Sequence, residues 1–576
     1  MKSASKEKLL SYFQNNYQYN IPFFQRAYVW GEENWELLLE HVEQEVEEYR
    51  NGKDSEHFIG TIITKPMPQQ GFGAQPLELI DGQQRLTTVA IMLKALADTA
   101  KGDFPKLRDA LLSLLSFKDT QDNDYLRIKH SKVDGPYFDA VMAATDPDQV
   151  PESDNQINAA YHYFTRRFKK LSDKDRDERM SIILHKLPVI AMFLGEKDDE
   201  QAIFDTINSL GVRLTTAELL KNFIFRDQEI RPLYEEHWYA IFEEEEEELK
   251  FWNTPKSSGR IKRTNLELLL YAVLIIETGG EVRIDKLFAS YKEWLKGQTP
   301  KERKAFLKRL RAHAATYRQF PGEEELASLT FHDHERRLFH VIDFLEITTI
   351  YPLLLFIHMQ VKDDEDRTAM HVLVEGFLIR RLVCKLTAKN YNKLFIQIMN
   401  ELKSAATVNA AALRTILCNY TEDTNRIPDD VEFRNAFKDS PLYNAHAMEV
   451  LFLIALHKLN PRKSDRNTLS AAGFSVEHMM PKKWREHWDN GRMTPDEEWA
   501  RDRKLKTLGN LTLVKQPLNS AMRNASWPKK KKELKKYSLL NITTDYLDLP
   551  EWNEDTIDAR AADLAEEAVK VWPKIC

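Results

Sequence analysis

The sequence predicts a multidomain α+β protein, on three observations. Its 576 residues exceed the roughly 150 of a single domain several times over. Strand-like pieces alternate with helical stretches over residues 1–225, and the texture of the chain then changes twice. Hydrophobic residues at 43% and charged residues at 30% are ordinary globular values, which excludes a disordered or fibrous chain. A net charge of −7 excludes a protein that coats nucleic acid along its whole length.

Taken in order, HFIGTIIT from His57, LELID from Leu77 and LPVIAMFL from Leu187 read as strands of the first section, an α/β domain over 1–225. The start, MKSASKEKLLSYFQNN, has charge and helical periodicity but no apolar run before a small-residue cleavage site. Between 226 and 445 strand signals vanish and helical periodicity takes over, as in NLELLLYAVLIIE and HVLVEGFLIRRLVCKL. The glutamate run Glu243 to Glu248 reads there as a solvated helix face or loop without function. Residues 446–576 form a third section, with a helical entry, two short strand candidates and a lysine-rich stretch.

Three cysteines, Cys384, Cys418 and Cys576, lie far apart without C-x-x-C, so neither a disulfide framework nor a cysteine-built zinc site is expected. The longest apolar runs, LLLYAVLII and YPLLLFI, fall short of the roughly 18 residues of a membrane span. These features predict a soluble cytoplasmic chain with no membrane partner. From Ser475 to Leu540, sixteen Lys and Arg face eight Asp and Glu, a local +8 that leaves the rest at −15. Concentrating cations in one place suits a DNA backbone contact, and Lys482, Lys483, Arg523, Lys529 and Lys530 are its candidates. A solvated lysine helix accounts equally well for the charge alone.

Inside that basic section FSVEHMMPKKW, LGNLTLVKQPLNSAMRN and WPKKKKELKKYS follow one another as strand, loop, strand and helix, with Gly509 suiting a turn. Phosphodiester hydrolysis needs a base for water and a cation for the leaving oxygen. His478 can be the base, and Asn510 can hold its orientation. Glu477 points away from His478 by strand alternation, yet its carboxylate can join the Asn519 amide oxygen around one Mg²⁺ or another divalent cation. Asn524 is the alternative to Asn519. A Glu-His pair on a strand is more often structural, so the residues alone leave both readings open.

Near the start IPFFQRAYVW precedes LELIDGQQRLTTVAIMLKAL, in which Val89, Met92, Leu93 and Leu96 mark one helix face. The turn at Asp81-Gly82 opens a helix N-terminus that favours an anion, where Gly82 permits close approach and Arg85 can clamp a phosphate. Asp81 can hold Mg²⁺ or the attacking water. A plain Asp81–Arg85 structural pair is the alternative.

Together these pieces resemble the GmrSD-type, modification-dependent (type IV) restriction endonucleases. VEHMMP, LGNLTLV and LNSAMRN are similar to the HNH, or His-Me finger, nuclease domain of that family, with Lys482 where glutamine is commoner. The resemblance implies a ββα-metal fold in which His478 is the general base, Glu477 and Asn519 are metal ligands and Asn510 supports the loop. IPFFQRAYVW and DGQQRLTT resemble the family's ParB/sulfiredoxin-like domain, which implies nucleotide binding by Gln25, Arg26, Asp81, Gly82, Gln83, Gln84 and Arg85, with Tyr28 and Trp30 in the motif. IFDTINSLGVRL places Asn208, Gly211 and Leu214 in a third family pattern, and FLIRRLVCKLTAKNYNKLF resembles its Arg-Arg helix. The absence of G-x-x-x-x-G-K-[ST] excludes a conventional P-loop.

The implied protein is an NTP-dependent endonuclease cleaving modified double-stranded foreign DNA, with the NTP as substrate or effector and the helical middle as relay or homodimer surface. Its competitors are an NTP-responsive DNA clamp and a plain HNH nuclease or nickase without NTPase activity. His332, His334 and His340 lack H-E-x-x-H spacing and read as a polar helix face, and Trp484, Trp488 and Trp499 read as packing before base stacking.

Overall fold

The computed structural model describes residues 3–22, 25, 27–67, 75–104, 106–119, 122–195, 215–225, 227, 229–258, 261–459, 468–488, 491 and 493–576. The chain divides into two compact units, Met1–Glu244 and Glu245–Cys576. Asn208, Gly211 and Leu214 of the third motif, and Arg26 of the first, lie outside the described residues.

A six-stranded mixed sheet carries the first unit. Its strands are β1 Ser3–Lys8, β2 Tyr17–Asn20, β3 Thr61–Pro66, β4 Gln75–Asp81, β5 Ile128–Lys129 and β6 Pro188–Phe193. The order is β1-β6-β3-β4-β2-β5, with β2 parallel to both β4 and β5. The three strands expected from the apolar pattern are β3, β4 and β6. The segment read as helix-periodic at the chain start holds a short helix, Leu10–Gln14, but its first part is β1. SASKEK is polar and becomes a strand because antiparallel pairing with β6 satisfies its backbone.

Helix α1 (Glu32–Arg50) buries Trp35, Leu38, Leu39, Val42 and Val46 along one stripe. Helix α2 (Gln83–Asp98) is buried on every side from Leu86 to Ala97, because α3 (Gln156–Phe168) and its other neighbours enclose it. Such enclosure forces Lys94 inward. Lys94 Nζ donates to Asp98 Oδ2 at 2.6 Å, and the pair is almost wholly buried. The glutamate run is only partly solvated. Glu244 to Glu247 are exposed, but Glu243 accepts from the Trp238 indole and from Lys221 and Tyr234.

The second unit is predominantly helical, with a hairpin, Pro255–Ser258 and Ile261–Thr264, that the sequence pattern did not announce. Helices α4 (His334–Phe344), α5 (Tyr351–Gln360) and α6 (Asp364–Val383) lead to α7 (Ala410–Asn419) and α8 (Asn444–His457). The arginines of the Arg-Arg segment are fully buried and serve the fold. Arg380 donates to the Trp572 carbonyl and to Asp430, and Arg381 to the carbonyls of Arg426, Thr387 and Thr424. No disulfide was expected, but Cys418 on α7 and Cys576 are bonded to each other. Sequence distance hid their proximity: the chain end returns to α7, where Arg414 donates to the Ile575 carbonyl at 3.0 Å.

The antiparallel pair β7 (Phe474–His478) and β8 (Leu511–Lys515) aligns Val476 with Leu513 and His478 with Leu511. Helix α8 and the following α9 (Gln516–Met522) both pack against it. Two more helices complete the region, α10 (Trp527–Tyr537) and α11 (Glu554–Val571). Gly509 lies in the short 3₁₀ turn Leu508–Asn510, as its sequence context suggested, and there it also lets α11 approach. A Cβ there would lie 2.2 Å from the Ile557 carbonyl oxygen and 2.9 Å from the Ala561 Cβ. Buried Arg560 fixes the same crossing by donating to the carbonyls of Leu508, Gly509, Leu511 and Ile542. Gly509→Ala is expected to lower unfolding stability by about 3 kcal/mol in denaturant titrations. A loss under about 0.5 kcal/mol, the range of a neutral surface change, would contradict this packing account.

Candidate active site

His478 closes β7, the last residue before the chain leaves the sheet. Only 8% of it is exposed, and its Nε2 has no hydrogen-bond partner among the described residues. Burial, with the charges of Lys482, Lys530 and Lys506 adding to it, pushes the imidazole down to about 3. The ring is therefore neutral at physiological pH, and Nε2 is the atom without an internal use.

Asn510 is completely buried and does its work on backbone. Its Oδ1 accepts from Met480 N at 2.8 Å and from the Trp552 indole at 3.0 Å. Its Nδ2 donates to the carbonyls of Met480 and Leu505. Of the two roles expected for Asn510, the bonds match the second: its side chain does not reach the imidazole but holds the loop that follows His478, as a positioning residue.

Glu477 and Asn519 come to one face of β7. Strand alternation puts Glu477 on the side of Ser475, and Asn519 Nδ2 donates to Ser475 Oγ at 2.9 Å and to the Val476 carbonyl at 3.0 Å. That leaves Asn519 Oδ1 as the oxygen donor of the side chain. Asn524 instead donates to Glu486 at 3.3 Å, away from the strand. Between the two candidates the geometry favours Asn519.

Glu477 already has a cation. Lys530, fully buried, donates to its Oε1 and to the His478 carbonyl at 2.6 Å. Burial pushes the Glu477 carboxyl up and the Lys530 ammonium down, and each partner offsets the other's cost. The expectation that Lys530 contacts DNA is corrected here. On α10 it shares the inward stripe with Trp527 and Leu534, three residues after one and four before the other. That phase was legible in the sequence. Lys482, Lys483, Arg523 and Lys529 are exposed, so a basic surface remains available. Of the tryptophans, Trp484 is core and donates to Asp502 at 2.7 Å, Trp488 is half-buried, and Trp499 is 62% exposed.

In the first unit the two N-terminal motifs meet. Gln25 Nε2 donates to the carbonyls of Leu79 and Ile80 at the end of β4. Gln84 Oε1 accepts from Val29 N and Trp30 N, and its Nε2 donates to the Ala27 carbonyl. Gln25 and Gln84 therefore join the loop to the turn, a use that residue type alone does not disclose. Tyr28 is buried and bonds Thr88 and Trp35. Gln83 is buried as well.

Gly82 caps α2 at φ +96°, and a Cβ on it would lie 2.9 Å from Ile62 Cγ1, so both conformation and space demand glycine. Asp81 and Arg85 remain partly exposed at this helix start, with Arg85 Nη1 3.7 Å from Asp81 Oδ2 and donating to the Thr61 carbonyl. Arg85 lies across Gly60, which sequence reading missed: a Cβ there would sit 2.7 Å from Arg85 Nε. A cavity of about 470 Å³ lies beyond the ends of β2 and β5, lined among others by Asn20, Lys129, His130 and Lys132, and shares no residue with Asp81–Arg85.

The model for the N-terminal domain of GmrSD restriction endonucleases matches residues 7–225, and that for the C-terminal domain of GmrSD restriction endonucleases matches 427–567. The chain belongs to the GmrSD restriction endonuclease family. Its class is therefore a type IV restriction endonuclease, an enzyme that cuts DNA. The two matches include both motif clusters, from Gln25 to Arg85 and from Glu477 to Lys530. A search of curated proteins found no match. No helix among the described residues is long and apolar enough to cross a membrane.

Proposed function

We propose that this endonuclease cleaves modified foreign double-stranded DNA through an HNH-type site on β7, β8 and α9, under the control of an NTP bound at the start of α2. The observation that carries the reading is His478 Nε2, a neutral, buried nitrogen at a strand end, in the field of Lys482, Lys506 and Lys530 and without a hydrogen-bond partner among the described residues. Such a nitrogen can take a proton from water attacking a phosphodiester. Exposed Lys482, Lys483, Arg523 and Lys529 would neutralise phosphates and set the backbone's path. Asn510 keeps the loop after His478 in place, so the imidazole need not be ordered when DNA arrives.

The donor set suits a hard divalent cation in kind, since Glu477 and Asn519 offer carboxylate and amide oxygens on one strand face. Lys530 sets a condition: the ion shares Glu477 with the ammonium or displaces it. When bound, Mg²⁺ would supply charge stabilisation for the leaving oxygen.

At the start of α2, backbone N–H groups, the helix dipole and Arg85 favour a triphosphate, with Asp81 beside them. A second reading has specific support: Gln25 and Gln84 are spent on backbone, and Asp81 and Arg85 already face each other, which is what a recognition platform without NTPase activity needs. Phosphate release separates the two. The NTPase reading expects Arg85→Ala to lower release at least about tenfold, the loss of one charge-assisted contact. Equal release by both proteins sinks it.

A further inference from the structure

Away from both motif clusters, three consecutive helices of the second unit converge on one point. Glu335 from the first turn of α4, His358 from the last turn of α5 and His371 from α6 bring one ligand atom each within 4.8 Å of one another. The His358 and His371 Nε2 atoms are 3.1 Å apart, and Glu335 Oε1 is 3.5 Å from His358 Nε2. In a tetrahedral zinc site with Zn–N and Zn–O bonds of about 2.0–2.1 Å, neighbouring ligand atoms stand roughly 3.3–3.4 Å apart. These two separations bracket that edge, and the third pair lies within 4.8 Å.

We propose that Glu335, His358 and His371 bind a Zn²⁺ that ties α4, α5 and α6 together. Two imidazole nitrogens with one carboxylate oxygen select a borderline transition metal over Mg²⁺ or Ca²⁺. His371 is 2% exposed, while the Glu335 side chain is 36% exposed, so the carboxylate forms the solvent side, where water can complete four-coordination. Burial holds the two imidazoles down to about 4 and about 3, so protons do not compete for their nitrogens at neutral pH. The nearby cations are engaged: Arg367 with Asp364 and the Val361 carbonyl, and Lys362 with the His358 carbonyl. His334 and His340, the sequence-adjacent histidines, belong elsewhere. His340 pairs with Glu449 at 3.2 Å, and His334 faces Arg337 at 3.4 Å.

The test uses the full chain, stripped with a chelator and then dialysed against zinc sulfate. The expected result is one zinc per chain by elemental analysis, a melting temperature raised by zinc, and a cobalt-substituted form with the visible absorption of a tetrahedral site. His358→Gln and His371→Gln are expected to weaken zinc affinity by more than about 100-fold, beyond what outer-sphere changes cause. Glu335→Gln, at a partly exposed position that leaves the core intact, is expected to weaken it with unchanged far-ultraviolet dichroism. His478→Ala is expected to keep the zinc, which separates this site from the nuclease chemistry. Failure of the stripped wild type to take up zinc, or uptake unchanged in all three site variants, would overturn the proposal.

Discussion

His478→Ala is expected to fold normally, to bind DNA as the parent does, and to cleave it about 10²- to 10⁴-fold more slowly, the contribution of one positioned general base. Removing the ring sacrifices no hydrogen bond at Nε2, because that atom makes none among the described residues. DNA affinity rests on phosphate contacts from Lys482, Lys483, Arg523 and Lys529, which the substitution leaves in place. With the imidazole held at about 3, the base form is complete well below neutrality. The acid side of the wild-type kcat/KM profile is then flat from about pH 8 down to about pH 5. Cleavage by the variant within threefold of the parent would show that another group is the base, whereas an acid limb centred at the ordinary histidine value would show that the imidazole is not held down in the working enzyme.

Lys530→Met is expected to cost about 3–5 kcal/mol of stability, because it leaves the Glu477 carboxylate buried without its partner. Adding Glu477→Gln removes the orphaned charge and should restore much of that loss. Lys529→Met, one residue away on the exposed side of α10, should stay within about 0.5 kcal/mol while weakening DNA binding. The pH dependence has a definite sign. Burial raises the Glu477 carboxyl above its unfolded value, so protonating it in the variant relieves the cost and stability falls as pH rises. The deficit should therefore be larger at about pH 8 than at about pH 5. Equal stability of the Lys529 and Lys530 variants in denaturant titrations would contradict the buried pair.

The contrast between these two lysines shows what the sequence disclosed and what it withheld. Both stand in one lysine run, and counting charge treats them alike. Only the helical phase set by Trp527 and Leu534 turns Lys530 inward. Apolar alternation was enough to find β3, β4 and β6, and β7 and β8, because burying one face leaves a period in the residues, whereas the one face it marked on α2 understates a helix buried on every side. It could not find β1, whose residues are polar and whose strand state comes from its partner. The motif residues were legible as a set, yet their partners were not. Gln25 and Gln84 looked like ligand contacts and are backbone clamps, Asn510 was read as holding both imidazole and loop and of the two bonds only the loop, and the turn at Gly509 is also a helix crossing that no local pattern announces. Cys418 with Cys576, and Glu335 with His358 and His371, are brought together by chain reversals that no local spacing encodes.

The most direct test of the account is cleavage of matched unmodified, glucosylated-hydroxymethylcytosine and phosphorothioated DNA with Mg²⁺, with and without an NTP mixture. The account predicts NTP-dependent cutting confined to modified DNA and lost in His478→Ala. Equal cutting of every DNA without NTP would contradict the modification-dependent, NTP-controlled reading and leave a plain nuclease, and DNA binding without any cutting would leave a clamp.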